Sequence, residues 1–292
     1  MENNSAFHPQ LDKRRRYGTL VAGLLFAATM LGLLVLATLI VDVATTGSGW
    51  LSEQFLTGYP TARPETSGIW PAIVGSLYLM LIVAATTVPL GVGTALYLEE
   101  YADAGWIRRI IQLNITNLAG VPSVVYGILG LGAFVYLFDM GSSLLAAGLT
   151  LSLLVLPIVV ISSQEAIRSI PQGVRESAFA LGATRSQVIW HHLIPMALPG
   201  IMTGIILSLS RAVGETAPLV LVGASLAINF TPAHLLDDFT ALPILVFQWT
   251  EEPGASFQEL AAAAIVVLMA FLILMNLSAI LLRNYFEDQL AA

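Results

Sequence analysis

The chain has 292 residues, 57% of them hydrophobic (AVILMFWYC) and only 11% charged, with a mean hydropathy of +0.81. A soluble domain carries about 25% charged residues and a disordered chain is poor in apolar ones, so both classes are excluded. The 12 Lys and Arg against 19 Asp and Glu give a net charge of -7, the wrong sign for binding nucleic-acid phosphates, and the lack of Cys removes disulfides, thiolate metal sites and a cysteine nucleophile.

Residues 17–41, 66–98, 110–138, 140–164, 186–210, 216–236 and 260–282 contain no Asp, Glu, Lys or Arg. Crossing a hydrocarbon core of about 30 Å takes roughly 20 apolar helical residues. Six spans are predicted on that basis, at 18–41, 70–96, 116–138, 143–163, 198–223 and 260–282, which makes the fold an all-α integral membrane protein with six transmembrane helices. The first span follows the basic run Lys13, Arg14, Arg15, Arg16, as in a signal peptide. Its 24 residues exceed the apolar stretch of about 7–15 in such a peptide, and it ends at Val41-Asp42 without a small-residue cleavage pattern, so it reads as a retained anchor. The second span contains Pro89, Gly91 and Gly93, the third begins near Pro122, and the fourth contains Pro157. Spanning helices tolerate these where neighbours satisfy the freed backbone groups. Gly127, Gly130 and Gly132 read as points of close helix contact and follow no strand, so they imply no dinucleotide fold. The fifth span holds Arg211 and Glu215 and cannot face lipid all round.

Loops rich in Lys and Arg stay in the cytoplasm. With the N-terminus inside, ten of the twelve basic residues fall inside, Arg63 falls outside and Arg211 lies in the membrane. Both termini are therefore expected in the cytoplasm. The outer connection 42–69 carries Trp50, Phe55 and Tyr59, with Trp70 just beyond, all suited to the membrane interface. The outer connection 224–259 carries Asp237, Asp238, Glu251, Glu252 and Glu259 without a basic residue, which reads either as a solubilising face or as a surface for an external partner.

The inner connection 164–197 is the most informative. Pro171 can open a helix, Val174, Ala178 and Leu181 recur at helical spacing, and Gly182 allows a C-cap or tight turn. A second short helix is predicted over 184–193, with Pro195 and Pro199 marking the start of the fifth span. Such a helix–turn–helix is either a simple connector or a docking surface for a cytoplasmic partner.

The run Glu176-Ser-Ala-x-x-x-Gly182 with Leu193-Ile194-Pro195 resembles the EAA loop of ABC-importer permeases, with Ser177, His192 and Ile194 departing from the usual residues. The string Arg211-Ala-Val-Gly-Glu-Thr-Ala-Pro218, together with Gly120-Val-Pro-Ser-Val-Val-Tyr-Gly127, is similar to the PstA-type permeases of phosphate ABC importers, and the resemblance extends over roughly 66–285. It implies that Arg175, Glu176, Ala178 and Gly182 form the joint with a separate ATPase. It also implies inorganic phosphate as substrate, a homologous PstC-like permease as the other half of the pathway, two ATP-binding subunits and an extracytoplasmic phosphate-binding protein. A PstC-like role, a permease for another oxyanion or solute and, more remotely, a secondary transporter or membrane scaffold are the other readings.

Arg211 is expected about halfway along the fifth helix, with Glu215 four residues later on the same face. The two form either a structural ion pair or a substrate site in which Arg211 meets a phosphate oxyanion, Glu215 orients it and Thr216 adds a hydroxyl. No Gly-x-x-x-x-Gly-Lys-Ser/Thr loop is present, so any ATP site lies on another polypeptide. His191 and His192 do not share a helix face and suggest no metal site. No catalytic set, metal or cofactor is expected. The expected division is a cytoplasmic tail, first span and external loop over 1–65, a permease core over 66–285, and a short cytoplasmic tail over 286–292.

Overall fold

The computed structural model describes residues 11–224 and 228–291; the predicted N-terminal tail lies outside these as far as residue 10. Its helices are α1 (Leu11–Gly47), α2 (Glu53–Thr57), α3 (Trp70–Leu96), α4 (Trp106–Ala119), α5 (Ser123–Gly130), α6 (Leu144–Arg168), α7 (Gln172–Ala180), α8 (Arg185–Val188), α9 (Ile194–Val213), α10 (Ala217–Val222), α11 (Leu242–Glu251) and α12 (Ala255–Ala291). Five of the helical segments among the described residues are long and apolar enough to cross a membrane; α4 and the arm beginning at α5 meet the same test together but are bent by 104°, so they form either a broken sixth span or a re-entrant loop. The described residues form no sheet beyond one isolated bridge between Ser143 and Asp238.

The centre of the bundle is α6, which packs on α3, α9, α4, α5 and α10. Small residues make these approaches possible. A Cβ on Gly91 of α3 would stand 2.7 Å from Val159 Cγ1, and one on Gly148 of α6 would stand 2.6 Å from Ile82 Cγ2. Two of the three glycines picked out in the third span behave this way: Gly127 abuts Leu221 and Pro218, and Gly130 abuts Thr150. Gly132 has nothing within 4 Å and is no contact point. Around α6, α1 and α12 pack on each other, while α12 also meets α9 and α11. Much of α1 is apolar and exposed on every side, as expected of a helix solvated by lipid rather than by water.

The second span fits closely, 70–96 predicted and Trp70–Leu96 observed, with a π-helical turn Tyr97–Tyr101 added. The first, fourth and sixth are longer than predicted because their helices run on past the last apolar residue. In particular, the tail predicted from 286 continues α12 through Ala291. The third and fifth spans need correction. The third begins at Trp106 rather than 116 and breaks at Gly120–Pro122, where Pro122 adopts φ -58, ψ 140 and cannot continue the ladder. The fifth ends at Val213 rather than 223; Gly214, Glu215 and Thr216 separate it from the short α10. There is also no separate second helix at 184–193. From α8 the chain runs through a π-helical stretch, Ile189–Leu193, straight into α9, giving one helix over Arg185–Val213. The extra residue per turn in the π-helical stretch makes room for Pro195, whose ring would crowd an ordinary preceding turn.

The aromatic residues of the 42–69 connection and Trp70 are not all interfacial. Phe55 is buried against Trp249, with ring centroids 6.3 Å apart. Trp50 Nε1 donates to Glu259 Oε2 at 2.9 Å, and Trp70 remains exposed.

Candidate functional site

The break between α9 and α10 gathers the charged residues of the fifth span. Arg211 lies in the last turn of α9, not halfway along, and a cation there is favoured by the C-terminal end of the helix dipole. The turn is held by Gly214 N–H on Arg211 O at 3.2 Å and Glu215 N–H on Ala212 O at 3.3 Å. Pro218 then fits the first turn of α10, where no amide is needed. Although Glu215 is past the helix end, it still reaches back: Arg211 Nε donates to Glu215 Oε1 at 3.2 Å. The Arg211 side chain is 52% exposed and that of Glu215 16%. The two terminal nitrogens of Arg211 have no hydrogen-bond partner among the described residues. Thr216 is half-buried immediately beyond. The arrangement is a guanidinium with its inner edge held by a carboxylate and its outer fork open. Ser208 and Thr203 instead bond to carbonyls of their own helix, Gly204 O and Pro199 O, and serve packing. Ser210 ties α9 to α12 through Asn276 Oδ1 at 2.6 Å.

The second cluster lies at the other end of the fifth span, around α7. Gly182 has φ +82, its N–H reaches Phe179 O at 2.9 Å and Ala183 N–H reaches Ala178 O at 3.1 Å. This is a Schellman C-cap, which needs the left-handed conformation that glycine supplies without strain. Two residues on, Thr184 and Gln187 form a capping box that starts the long helix. The exposed face of α7 carries Glu176, and beyond it Phe179 is 49% and Leu181 90% exposed. Ala178 faces the other way, into a core formed with Ile167, Val188 and Ile189. Arg175 is also turned inward. Its Nη2 donates to Glu100 Oε1 at 2.8 Å, and its Nη1 and Nη2 to the carbonyls of Ile170 and Ile167 at 3.1 and 3.2 Å.

Sequence reasoning missed the partners of these arginines. Glu99 and Glu100, adjacent in the turn after α3, point to different neighbours. Glu99, 8% exposed, accepts from Arg168 Nη2 at 2.6 Å, Arg108 Nη2 at 3.2 Å and Gln164 Nε2 at 2.8 Å, while Gln164 and Gln112 exchange two hydrogen bonds. Glu100 holds α7. Arg185 stacks over the Tyr101 ring at 5.3 Å from its centroid. The signal available was the pair of carboxylates directly after a charge-free span, opposite two basic span ends. His191 Nδ1 lies 3.1 Å from Gln187 O, within its own helix.

A helical bundle of this kind, with an exposed short helix in one connection and a guanidinium at the break between α9 and α10, is that of a multi-spanning membrane protein. A family model described as "Binding-protein-dependent transport system inner membrane component" matches residues 87–291. Phosphate transport system permease protein PstA 1 of Mycobacterium tuberculosis is 33% identical over 285 residues, covering 95% of this chain and 92% of that protein. The fold is shared with a bacterial ABC transporter for the import of the acidic polysaccharide alginate (TM-score 0.63, 16% identity, 94% of this chain and 99% of that one). It is also shared with the MetNI methionine ABC transporter in an inward-facing form (TM-score 0.59, 19% identity, 75% and 94%). The chain belongs to the binding-protein-dependent permease family, within its PstA-type phosphate permeases.

Proposed function

We propose that this chain is one of the two permease halves of an ATP-driven importer of inorganic phosphate. A homologous PstC-like subunit forms the other half of the pathway, two ATP-binding subunits dock beside α7, and an extracytoplasmic binding protein delivers phosphate to the opposite end. The permease core is residues 66–285. The concentration of basic residues at the α7 end supports placing that end, and both termini, in the cytoplasm.

The observation that carries this reading is the open outer fork of Arg211. Two parallel N–H donors suit two oxygens of a phosphate, and a charge-assisted bidentate pair is stronger than neutral hydrogen bonds. Glu215 on Nε fixes the guanidinium plane and offsets part of its charge, so that phosphate can leave as well as arrive. Thr216 supplies a hydroxyl at the same break. At the cytoplasmic end, Glu176, Phe179 and Leu181 present the contact surface to the ATPase, while Arg175, Ala178 and Gly182 hold that surface in place.

The test is uptake of labelled phosphate at micromolar concentration in cells lacking their own permease and expressing this chain with its partners. Wild type is expected to restore uptake that sulfate does not compete, and Arg211→Gln to abolish it at equal membrane abundance. Normal transport by Arg211→Gln would make the residue structural. No phosphate transport by an assembled wild-type complex would overturn the substrate.

A further inference from the structure

A cleft of about 670 Å³ opens at the α7 end of the bundle, away from Arg211. It is lined by Ala104, Gly105 and Trp106 at the start of α4, by Arg108, Arg109, Gln112 and Leu113 along it, and by Arg168 at the end of α6. No carboxylate lines it. The one buried acid behind it, Glu99, is shared between Arg108 and Arg168, while Arg109 has no ion-pair partner among the described residues. The other nearby acids are placed elsewhere: Glu100 is bound to Arg175, Glu165 acts on Arg168 from the preceding turn of α6, and Asp103 lines the adjoining depression. Three guanidinium groups thus converge on one opening. The first turn of α4 follows Gly105, which has no side chain to cap its amides.

The surroundings of the cleft are apolar. Trp106 is 73% exposed, and Ile107, Ile110 and Leu113 are exposed along the same helix. Arg168 closes a spanning helix, so the cleft lies where hydrocarbon gives way to headgroups. An indole beside arginines at that depth is the pattern of an interfacial anchor with a headgroup pocket. A free anion would have no use for the apolar rim, whereas a phospholipid places its phosphate on the arginines and its acyl chains along Trp106 and Ile107.

We propose that the cleft between α4 and the end of α6 binds the phosphate of an anionic phospholipid, with Arg109 as the unpaired ligand and Arg108 and Arg168 as shared ones. The site is separate from the phosphate reading of Arg211; only its assignment to the cytoplasmic leaflet rests on the orientation proposed above. A bound headgroup competes with Glu99 for Arg108 and Arg168, so the lipid touches the same turn that anchors α7.

The test is native mass spectrometry of the purified whole importer, delipidated and supplied with phosphatidylglycerol or with phosphatidylcholine of the same acyl chains. Retention of phosphatidylglycerol over phosphatidylcholine is expected, falling about fivefold in Arg109→Gln, the change expected from one interfacial arginine. Arg63→Gln, an equal loss of charge in the 42–69 connection and away from the cleft, is expected to leave retention unchanged. Equal retention of the two lipids, an unaltered Arg109→Gln or an equal loss in Arg63→Gln would overturn the site. Displacement of phosphatidylglycerol by millimolar inorganic phosphate would overturn the lipid and make the cleft a free-phosphate site.

Discussion

Arg175 is expected to act within this chain rather than on a partner, and a mutant cycle can separate the two roles. Its guanidinium makes two hydrogen bonds to Glu100 and two to the carbonyls that close α6. The side chains are 21% and 11% exposed, so the pair is partly shielded from water. Breaking a fully buried pair costs about 3–5 kcal/mol and an exposed pair at most about 1. An intermediate value of about 2–3 kcal/mol follows for Arg175→Met, which also takes the guanidinium donor from the Ile170 carbonyl and one of the donors from that of Ile167. Because α7 is short and its inward anchors are Ala178 and Arg175, the loss falls on local opening of α7. Amide hydrogen exchange across residues 172–180 of the assembled importer is expected to accelerate about 30- to 140-fold, since about 1.4 kcal/mol is tenfold. Glu100→Gln alone is expected to cost less, because an amide oxygen still accepts from the guanidinium. The double variant is expected to be no worse than Arg175→Met. Additive effects of the two substitutions, or unchanged exchange in Arg175→Met, would refute the intramolecular role and return Arg175 to the ATPase interface.

Further outcomes follow from the same geometry. Arg211→Lys is expected to transport far less phosphate than wild type despite its charge, because an ammonium cannot bond Glu215 and present a planar fork together; labelled uptake at matched abundance measures it. Gly182→Ala meets no neighbouring atom but must adopt φ +82, so it should cost about 1 kcal/mol through backbone strain alone, with Gly182→Asn milder, read as the melting temperature of the complex. The bulkier Gly182→Trp should abolish uptake at normal abundance by fouling the exposed turn. Gly148→Leu drives a side chain into Ile82 at the centre of the α3–α6 contact and is expected to remove the protein from the membrane fraction, checked by immunoblot. Asp237 accepts the His234 and Ala233 amides, which hold its carboxyl below the ordinary Asp value. Because the folded value is the depressed one, the contribution of Asp237 is present at neutral pH and disappears as pH falls through that lowered value. Proteolysis of the 233–238 turn should therefore rise only under strongly acidic conditions in wild type and be independent of pH in Asp237→Asn.

Much of the fold was legible because lipid imposes a simple rule. The second span could be placed closely since Glu65 and Glu99 bound a charge-free run and the helix needs no charged residue to end it. The same rule failed wherever a helix carried its own charges. Arg108 and Arg109 mask the first turn of the third span, whose charge-free run begins at 110, and the predicted start at 116 misses Gln112 and Ile115, which pack inward. At the fifth span the prolines misled in one place and the glutamate in another. Pro195 suggested a helix start, but a π-helical turn absorbs it; Glu215 looked helical by spacing, but Gly214 ends the helix just before it. Of the residues around α7, Gly182 could be read locally, since its cap is a backbone property. The inward direction of Ala178 and Arg175 could not, because it depends on Ile189 and Glu100, the latter 75 residues away in sequence.

The corrected fifth span changes how motion at α7 can reach Arg211. Had a separate helix stood at 184–193, a flexible joint at Pro195 would have decoupled the loop from the span. Instead Arg185–Val213 is a single helix of 29 residues, about 43 Å long, with the capped Gly182 turn at one end and Arg211 at the other. A displacement of α7 would then act on two elements together: on this helix through the four-residue link Leu181-Gly182-Ala183-Thr184, and on α3 through Arg175 and Glu100. Both pack on α6, so on the transport reading α6 is the element about which they would move. The compliant points are the π-helical stretches Tyr97–Tyr101 and Ile189–Leu193 and the carbonyl freed by Pro199. On the transport reading, stiffening the second of these by Pro195→Ala should alter the ratio of phosphate moved to ATP hydrolysed more than either rate alone. An unchanged ratio would mean that motion reaches Arg211 through α3.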